Sequence, residues 1–319
     1  MFQLIFVLRR FAPKSKFMVL GTRKLRASKV TNEAKIVVDG KEITETKSEK
    51  LLGVVINNEL TWKNHLYGDN ENDGLVQQLS KRIGMLKKLS TYTSKENVKY
   101  FADGLFYSKL SYCLPVFGNV LGMEDYKEEN SRYQSFTTKD NNTLQVLQNK
   151  LNRMILNAEP HTPTKTLLEE TNSLSIQQMI AYQSSVLAFK IVKSGKPEYL
   201  AKKLALRREG MPLRGGAGFI HPSSKKLSIS KEGFLYRGAC LMNKLDENIR
   251  KETKIDRFKT GAKNWVKKNF KIKPSSKHSQ IVERRILPPQ PEPVAVQGLQ
   301  DIRRYFLPQN TPHHVKPPS

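Results

Sequence analysis

The sequence predicts an α+β chain that is mainly α, with a small antiparallel β-hairpin region followed by a helical bundle. Apolar residues are grouped in short runs bounded by turn residues up to about position 66, as in strands, and recur with a period near 3.6 from about position 74, as in helices. We therefore expect a β region at 1–66, a helical domain at 67–200, a basic helical segment at 201–285 and a disordered Pro-rich tail at 286–319.

Three short segments predict strands within the first 66 residues. Phe17–Leu20 is apolar and short, and residues 34–44 contain Asp39-Gly40, a pair that tolerates the positive φ of a two-residue hairpin turn. Residues 51–56 predict a further strand, closed by two asparagines. We expect these strands to form one antiparallel sheet of three or four strands.

Helical periodicity begins after residue 74. One apolar stripe predicts a helix, and four basic residues lie largely off that stripe: Lys81, Arg82, Lys87 and Lys88. The stripe itself comprises Leu75, Leu79, Ile83, Leu86 and Leu89. Such a helix buries one side and presents cations on the other.

Further helices are marked by capping patterns and apolar spacing. Thr93 to Glu96 and Ser175 to Gln178 match the capping box, and the second helix has a stop signal at Gly195 and Pro197. The inward positions that we expect are Val98, Phe101, Leu105 and Leu110 in the first helix, and Leu144, Leu147, Leu151 and Met154 or Ile155 in a helix between them. Residues 122–142 predict a flexible insertion, and residues 235–270 predict one or two basic helices with Trp265 and Phe270 in the core.

The charge balance predicts a polyanionic partner. The chain has 55 Lys and Arg against 29 Asp and Glu, a formal net charge of +26, and much of the excess lies between residues 196 and 285. Nucleic acid is the expected ligand, with an anionic membrane surface as the second choice. The apolar run at residues 2–8 is too short to cross a bilayer, and no membrane is expected among the partners.

Cysteine and histidine usage argues against metal chemistry. Cys113 and Cys240 are too few for a disulfide framework or a four-ligand zinc site, and the six histidines lack ligand spacing. No cofactor and no metal ligand is therefore expected. The apolar run at residues 2–8 lacks the features of a signal peptide. We predict an intracellular protein, nuclear or cytoplasmic, that is not secreted.

An ordered set of short motifs resembles one segment of a known polymerase family. The motifs are residues 14–19, Lys-Ser-Lys-Phe-Met-Val; 51–54, Leu-Leu-Gly-Val; 60–65, Leu-Thr-Trp-Lys-Asn-His; 83–89, Ile-Gly-Met-Leu-Lys-Lys-Leu; 112–118, Tyr-Cys-Leu-Pro-Val-Phe-Gly; and 144–150, Leu-Gln-Val-Leu-Gln-Asn-Lys. Their order and spacing over residues 12–200 resemble the region after the catalytic palm in reverse transcriptases of non-LTR (LINE-type) retrotransposons. The resemblance implies a primer-grip hairpin followed by a thumb-like helical domain.

The resemblance also implies that the catalytic residues of that family are absent. Polymerases hold two metal ions with carboxylates on a palm sheet, and no motif here matches those carboxylates. Phe101-Ala102-Asp103-Gly104 is the nearest tetrapeptide, but it has one aspartate and lies inside a helical pattern. We expect Asp103 to be an ordinary helix residue that faces water, and the chain not to be an enzyme.

The resemblance implies a set of nucleic-acid contacts, each with a structural alternative. Lys14 and Lys16 match a motif near the nucleotide phosphates, and Leu52 and Gly53 match the primer grip, where the alternative is a strand with core leucines. The thumb-like contacts to phosphates, with little readout of base sequence, would come from Lys81, Arg82, Lys87, Lys88 and Arg153. For Arg153 the alternative is an ion pair or hydrogen bond within the domain.

The tail contains a second, separate pattern. Leu299, Ile302, Tyr305 and Phe306 match the aliphatic and aromatic end of a sliding-clamp-binding peptide, although the motif has Gln where this chain has Leu299. A weak clamp contact is one interpretation. A chance amphipathic turn in a disordered tail is the other.

Two main functional hypotheses and two further alternatives follow from these observations. The first is a truncated reverse-transcriptase fragment without a palm, which at most binds RNA, DNA or hybrid duplex nonspecifically. The second is a domesticated helical module that binds a partner protein. The alternatives are a genomic relic without function and one half of an enzyme whose palm is a separate chain.

Overall fold

The mainly helical α+β architecture is confirmed by the fold. The computed structural model describes residues 4–7, 15–20, 36–38, 40–69, 72–119, 136–204, 220 and 233–270. Helices dominate these ranges, and the strands form short antiparallel pairs. The Pro-rich tail expected at 286–319 lies outside the described residues.

Six short strands form three separate antiparallel pairs. They are β1 (Leu4–Val7), β2 (Phe17–Leu20), β3 (Ile36–Val38), β4 (Lys41–Ile43), β5 (Ser48–Leu51) and β6 (Val54–Asn57). The pairs are β1 with β2, β3 with β4, and β5 with β6, so the single sheet expected from the sequence is wrong for the described strands. The hairpin predicted at Asp39-Gly40 is confirmed, with Gly40 at φ 74°.

The strand predicted at 51–56 is instead the centre of the β5–β6 hairpin. Leu51 pairs with Val54 across a two-residue turn. The turn residues Leu52 and Gly53 have φ of 47° and 82°, the left-handed geometry that joins tightly paired strands. Residues 51–56 are apolar apart from Gly53, and this nearly continuous apolar run made the turn look like part of one strand.

Twelve α-helices, one π-helical segment and one 3₁₀ turn complete the described part of the chain. The α-helices are α1 (Lys63–Tyr67), α2 (Leu75–Leu89), α3 (Lys95–Ala102), α4 (Ser108–Ser111), α5 (Leu114–Phe117), α6 (Thr138–Leu156), α7 (Thr164–Glu170), α8 (Ile176–Ser194), α9 (Glu198–Ala201), α10 (Phe234–Lys244), α11 (Glu247–Arg250) and α12 (Ile255–Asn269). A π-helical segment, Asp103–Tyr107, joins α3 to α4, and a 3₁₀ turn, Lys202–Leu204, follows α9.

The apolar stripe predicted for α2 is the side that the fold buries. Leu75, Leu79, Ile83 and Leu86 are each at most 3% exposed, whereas Leu89 is half-buried. α2 packs against α1, α3, α4 and α6, as well as the π-helical segment. The stripe therefore sits near the centre of the main hydrophobic core.

Helix starts agree with the sequence at α8 and differ at α3. Ser175 caps α8 as predicted, with Gln178 closing the capping box. At α3 the cap is Ser94 rather than Thr93, and Ser94 Oγ accepts from the backbone N–H of Asn97 at 3.4 Å. Phe101 was expected to face inward but is 40% exposed. The side that is buried runs through Val98, Ala102, Phe106 and Leu110.

The flexible insertion predicted at 122–142 extends too far. Residues 120–135 lie outside the described residues, but Phe136 is buried and Thr137 caps α6. The Asp140 carboxylate accepts from Thr137 N–H at 2.8 Å and from the Tyr67 hydroxyl at 2.7 Å. Burial and this bond raise the pKa of Tyr67 to about 12. The start of α6 is thus fixed to α1.

The C-terminal helices share the core of the predicted thumb-like domain. α10 and α12 both pack against α8, and Phe189 stacks on Phe258 with 3.9 Å between ring centroids. Trp265 is buried and Phe270 is half-buried. One continuous hydrophobic cluster includes residues from Leu66 to Val266. Residues on both sides of the expected boundary near position 200 therefore share a single core.

We predict that Phe258→Ala lowers the free energy of unfolding of the whole helical core by about 3 to 5 kcal/mol, because it removes a fully buried ring. Urea unfolding followed by circular dichroism measures this. Tyr92→Ala, at a side chain that is 87% exposed, is the control and should change stability by less than about 0.5 kcal/mol. An unchanged main transition in Phe258→Ala would mean that α12 folds apart from the core.

Candidate nucleic-acid interface

A narrow cleft lies where the β5–β6 hairpin meets the helical core. We call it the hairpin cleft, and it is lined by Lys50, Gly53, Val55, His65, Asn72, Asp73, Leu75, Gln78 and Lys109. Its free volume is about 10 Å³, which is room for about one water-sized atom. It is therefore a slot for a single polar atom rather than a pocket for a whole molecule.

Contacts from the helices hold the hairpin in place. The Tyr112 hydroxyl, just after α4, donates to the Leu52 carbonyl at 2.7 Å. A Cβ atom at Gly53 would lie 3.2 Å from Tyr112 Cε1, so the ring packs directly on the turn. Below the turn, the Val55 N–H donates to His65 Nδ1 across a long 3.4 Å contact. Leu52 itself is 82% exposed at the tip.

Three cations from distant parts of the sequence converge beside this hairpin. Lys50 lies on β5, Arg82 lies on α2 and Lys109 lies on α4. The pKa of the half-buried Lys109 is lowered by burial and then by the charges of Arg82 and Lys50. Arg82 donates to the Leu105 carbonyl, and within the described residues neither lysine forms an ion pair. The group is an uncompensated positive cluster.

His65 is buried at the back of the cleft. Burial lowers its pKa to about 4, with further contributions from Lys109 and Lys50. Its ring meets Phe117 edge-on, with 4.8 Å between centroids. The imidazole is therefore neutral at pH 7. It can still donate one N–H.

The four basic residues predicted on α2 do not share one face. Lys81 pairs with Asp73, whereas Lys87 and Lys88 are exposed and form no ion pair in the described part of the chain. At 3.6 residues per turn, Lys87 lies about 140° around the axis from Arg82. Arg82 points toward the hairpin side, and Lys87 belongs to the opposite flank.

The remaining predicted contacts are scattered. Lys14 lies outside the described residues, as do Leu299, Ile302, Tyr305 and Phe306 of the clamp-like pattern. Lys16 forms an ion pair with Glu49 on β5 at 2.7 Å, so its charge is offset. Arg153 is half-buried in the last turn of α6, which contributes no residue to the hairpin cleft.

Sequence reasoning missed Lys50, Lys109, His65 and Tyr112 as site residues. His65 and Tyr112 lie inside the quoted motifs at residues 60–65 and 112–118, and membership of these motifs could have marked them as site residues. No sequence signal marked Lys50 and Lys109, because a single lysine in a basic chain forms no recognisable pattern. Only the packing of the hairpin on α1, together with the Tyr112 hydrogen bond to its turn, brings them together.

The structure gives no support to a carboxylate metal site in the described ranges. Asp103 is exposed, as expected, and lies in the π-helical segment rather than an α-helix. Among the residues described, no three His, Cys, Asp or Glu side chains gather in one place. Every helix of the described ranges is too short or too polar to span a bilayer.

Comparison with known proteins returned no match. No protein-family model, no curated protein and no solved structure matches this chain. The resemblance to reverse transcriptases rests on the quoted motifs alone.

We predict that Gly53→Ala destabilises the protein by about 1 to 2 kcal/mol, because alanine is strained at positive φ and its Cβ would crowd Tyr112. Gly84→Ala is the matched control. Gly84 is on the exposed side of α2 with open space around it, so alanine there should stabilise by about 0.8 to 1 kcal/mol. Thermal melts of both variants measure the difference, and equal effects would contradict the hairpin geometry.

We predict that stability falls on mild acidification because of His65. Its pKa in the folded protein, about 4, is below the ordinary 6.5, so the unfolded chain binds the proton more readily. The contribution is present above pH 6.5 and is lost as the pH falls toward 4. Between pH 7.5 and 5 the loss is about 2 kcal/mol.

Urea unfolding of the protein and of His65→Gln at the two pH values measures this loss. The variant retains a polar side chain but cannot titrate, so its loss should be smaller by about 2 kcal/mol. A parallel decrease in both proteins would show that carboxylates alone cause the acid sensitivity.

Proposed function

We propose that this chain binds the backbone of nucleic acid, without readout of base sequence, through the hairpin cleft and the adjoining exposed face of α2. The observation that carries the proposal is the half-buried Lys109 ammonium beside Arg82 and Lys50, with no carboxylate paired to either lysine among the described residues. Holding like charges together disfavours their charged forms unless an anion neutralises them. A phosphate backbone is the polyanion that a chain of net charge +26 meets most readily.

The exposed face of α2 extends the positive surface away from the cleft. Lys81, Met85 and Lys88 follow one another at helical spacing and are all exposed. The ion pair of Lys81 with Asp73 is exposed to solvent, and such pairs are weak enough for a phosphate to compete with the carboxylate. Lys81 and Lys88 are about 10 Å apart along the axis, which corresponds to about three nucleotides at 3.4 Å per step. Contacts at this spacing can follow one strand, and they carry no sequence information.

We further propose that the chain corresponds to the post-palm part of a LINE-type reverse transcriptase and has no polymerase activity of its own. What supports this is the order of the motifs, together with the hairpin at Leu52 and Gly53 and the helical bundle beside it. RNA, DNA and hybrid duplex all present the required phosphates. Nothing in the proposal selects among them.

We predict that neutralising Lys50 and Lys109 weakens binding to an RNA/DNA hybrid about tenfold at low salt. In K50Q/K109Q the magnitude of the slope of log K against log salt should fall by about 1.5, since each of the two lost phosphate contacts contributes about 0.7 to 0.9. Fluorescence anisotropy over a salt series measures both quantities.

The matched control is K87Q/K165Q, which removes the same net charge. Lys87 lies on the far flank of α2, and Lys165 is an exposed residue of α7 that lies 4.0 Å from Glu169. Binding should change much less in this variant. Equal losses in the two double variants would show that the total charge, rather than the hairpin cleft, determines affinity. A helical protein-interaction module would show no salt-dependent binding at all.

A further inference from the structure

The hydrogen bonding of His65 leaves one donor unused. Nδ1 accepts from the Val55 N–H, and a neutral imidazole that accepts at one nitrogen carries its proton on the other. Nε2 is buried and has no hydrogen-bond partner among the described residues. His65 as a whole is 7% exposed. A buried donor without an acceptor costs about 1 to 3 kcal/mol, so an acceptor that reaches it is favoured.

The surroundings of His65 favour a negatively charged acceptor. Lys109 and Lys50 are close enough to lower its pKa by their charge, and both line the same cleft. Asp73 also lines the cleft, but its carboxylate is engaged by Lys81. His65, with its unpartnered N–H, and the two lysines therefore line the same space of about 10 Å³. A cation is repelled there, and a bulky ligand does not fit.

The contact with Phe117 adds to the orientation of the imidazole. The edge-on packing and the bond to Val55 restrain the ring from two sides. Gly53 also lines the cleft, and the Tyr112 ring packs against its turn. One oxygen of a group lying on the surface can then enter, while the rest of the group stays outside against the lysines.

We propose that His65 Nε2–H donates to one non-bridging phosphate oxygen of a nucleic-acid backbone lying across the hairpin, with Lys50 and Lys109 neutralising that phosphate. This rests on the proposed function. It makes His65 a positioning donor that fixes one phosphate relative to the hairpin. The other basic residues contribute charge without such directional geometry.

Nitrogen-15 NMR of the histidine side chains tests the contact directly. The full chain is titrated with a short RNA/DNA hybrid, with the same hybrid carrying uncharged methylphosphonates, and with inorganic phosphate. We expect the His65 Nε2–H signal to shift with the natural hybrid and not with the methylphosphonate hybrid. A larger shift with inorganic phosphate than with the hybrid would overturn the backbone as the source of the oxygen.

Two variants separate the donor from the ring. His65→Gln retains an N–H donor, and His65→Leu removes it at similar size. We expect His65→Leu to bind the hybrid about tenfold more weakly and His65→Gln to bind within about threefold of the unmodified protein. Circular-dichroism melts establish that both variants are folded, and the Gln variant keeps the test decisive if the Leu variant does not fold.

The outcomes distinguish this inference from the proposed function. Unchanged hybrid affinity in His65→Leu, together with an unshifted Nε2–H signal, would overturn the His65 contact and leave backbone binding intact. Absence of hybrid binding by the unmodified protein would overturn both. Weaker binding in His65→Leu with the predicted NMR shift supports both.

Discussion

Burial of one side of α2 is the constraint on which the rest of the structure depends. Leu75, Leu79, Ile83 and Leu86 are nearly inaccessible to solvent, and α1, α3, α4 and α6 all pack around them. With that side committed to the core, the rotation of α2 is fixed. Arg82 must then lie on the flank toward α4 and the hairpin, and Lys81 and Lys88 must face solvent. The position of the positive surface follows from apolar packing, not from attraction among the charges.

The charges themselves oppose the fold at this point. Lys50, Arg82 and Lys109 repel one another, and burial penalises the Lys109 ammonium further. His65 adds a buried donor that no described residue accepts. A surface selected for stability alone would carry a carboxylate here. In a site that binds an anion, these unfavourable contributions to folding stability are offset when the anion binds.

The sequence predicted those parts of the fold that local patterns determine. α2, α6 and α8 show the helical period over four or more turns, and the Asp39-Gly40 turn has a distinctive residue pair. The apolar pattern predicted one strand at 51–56, because Leu52 is a rare choice at positive φ, whereas the resemblance implied a hairpin there. Phe101 was placed in the core, because a regular helical period does not anticipate the π-helical segment that follows it. The start of α6 was missed, because Thr137 and Asp140 look like the polar residues before them.

The candidate site was harder to predict than the fold, for a physical reason. Lys50 and Lys109 lie 59 positions apart, and their proximity comes from the packing of a hairpin on a short helix, which no local period encodes.

The most direct measurement of the central claim is a lysine-acetylation footprint of the full chain with and without RNA/DNA hybrid, analysed by mass spectrometry. The account predicts strong protection of Lys50 and Lys109 and little change at Lys87, Lys165 and Lys251. Uniform protection of all five lysines, or protection of Lys87, Lys165 and Lys251 alone, would contradict it.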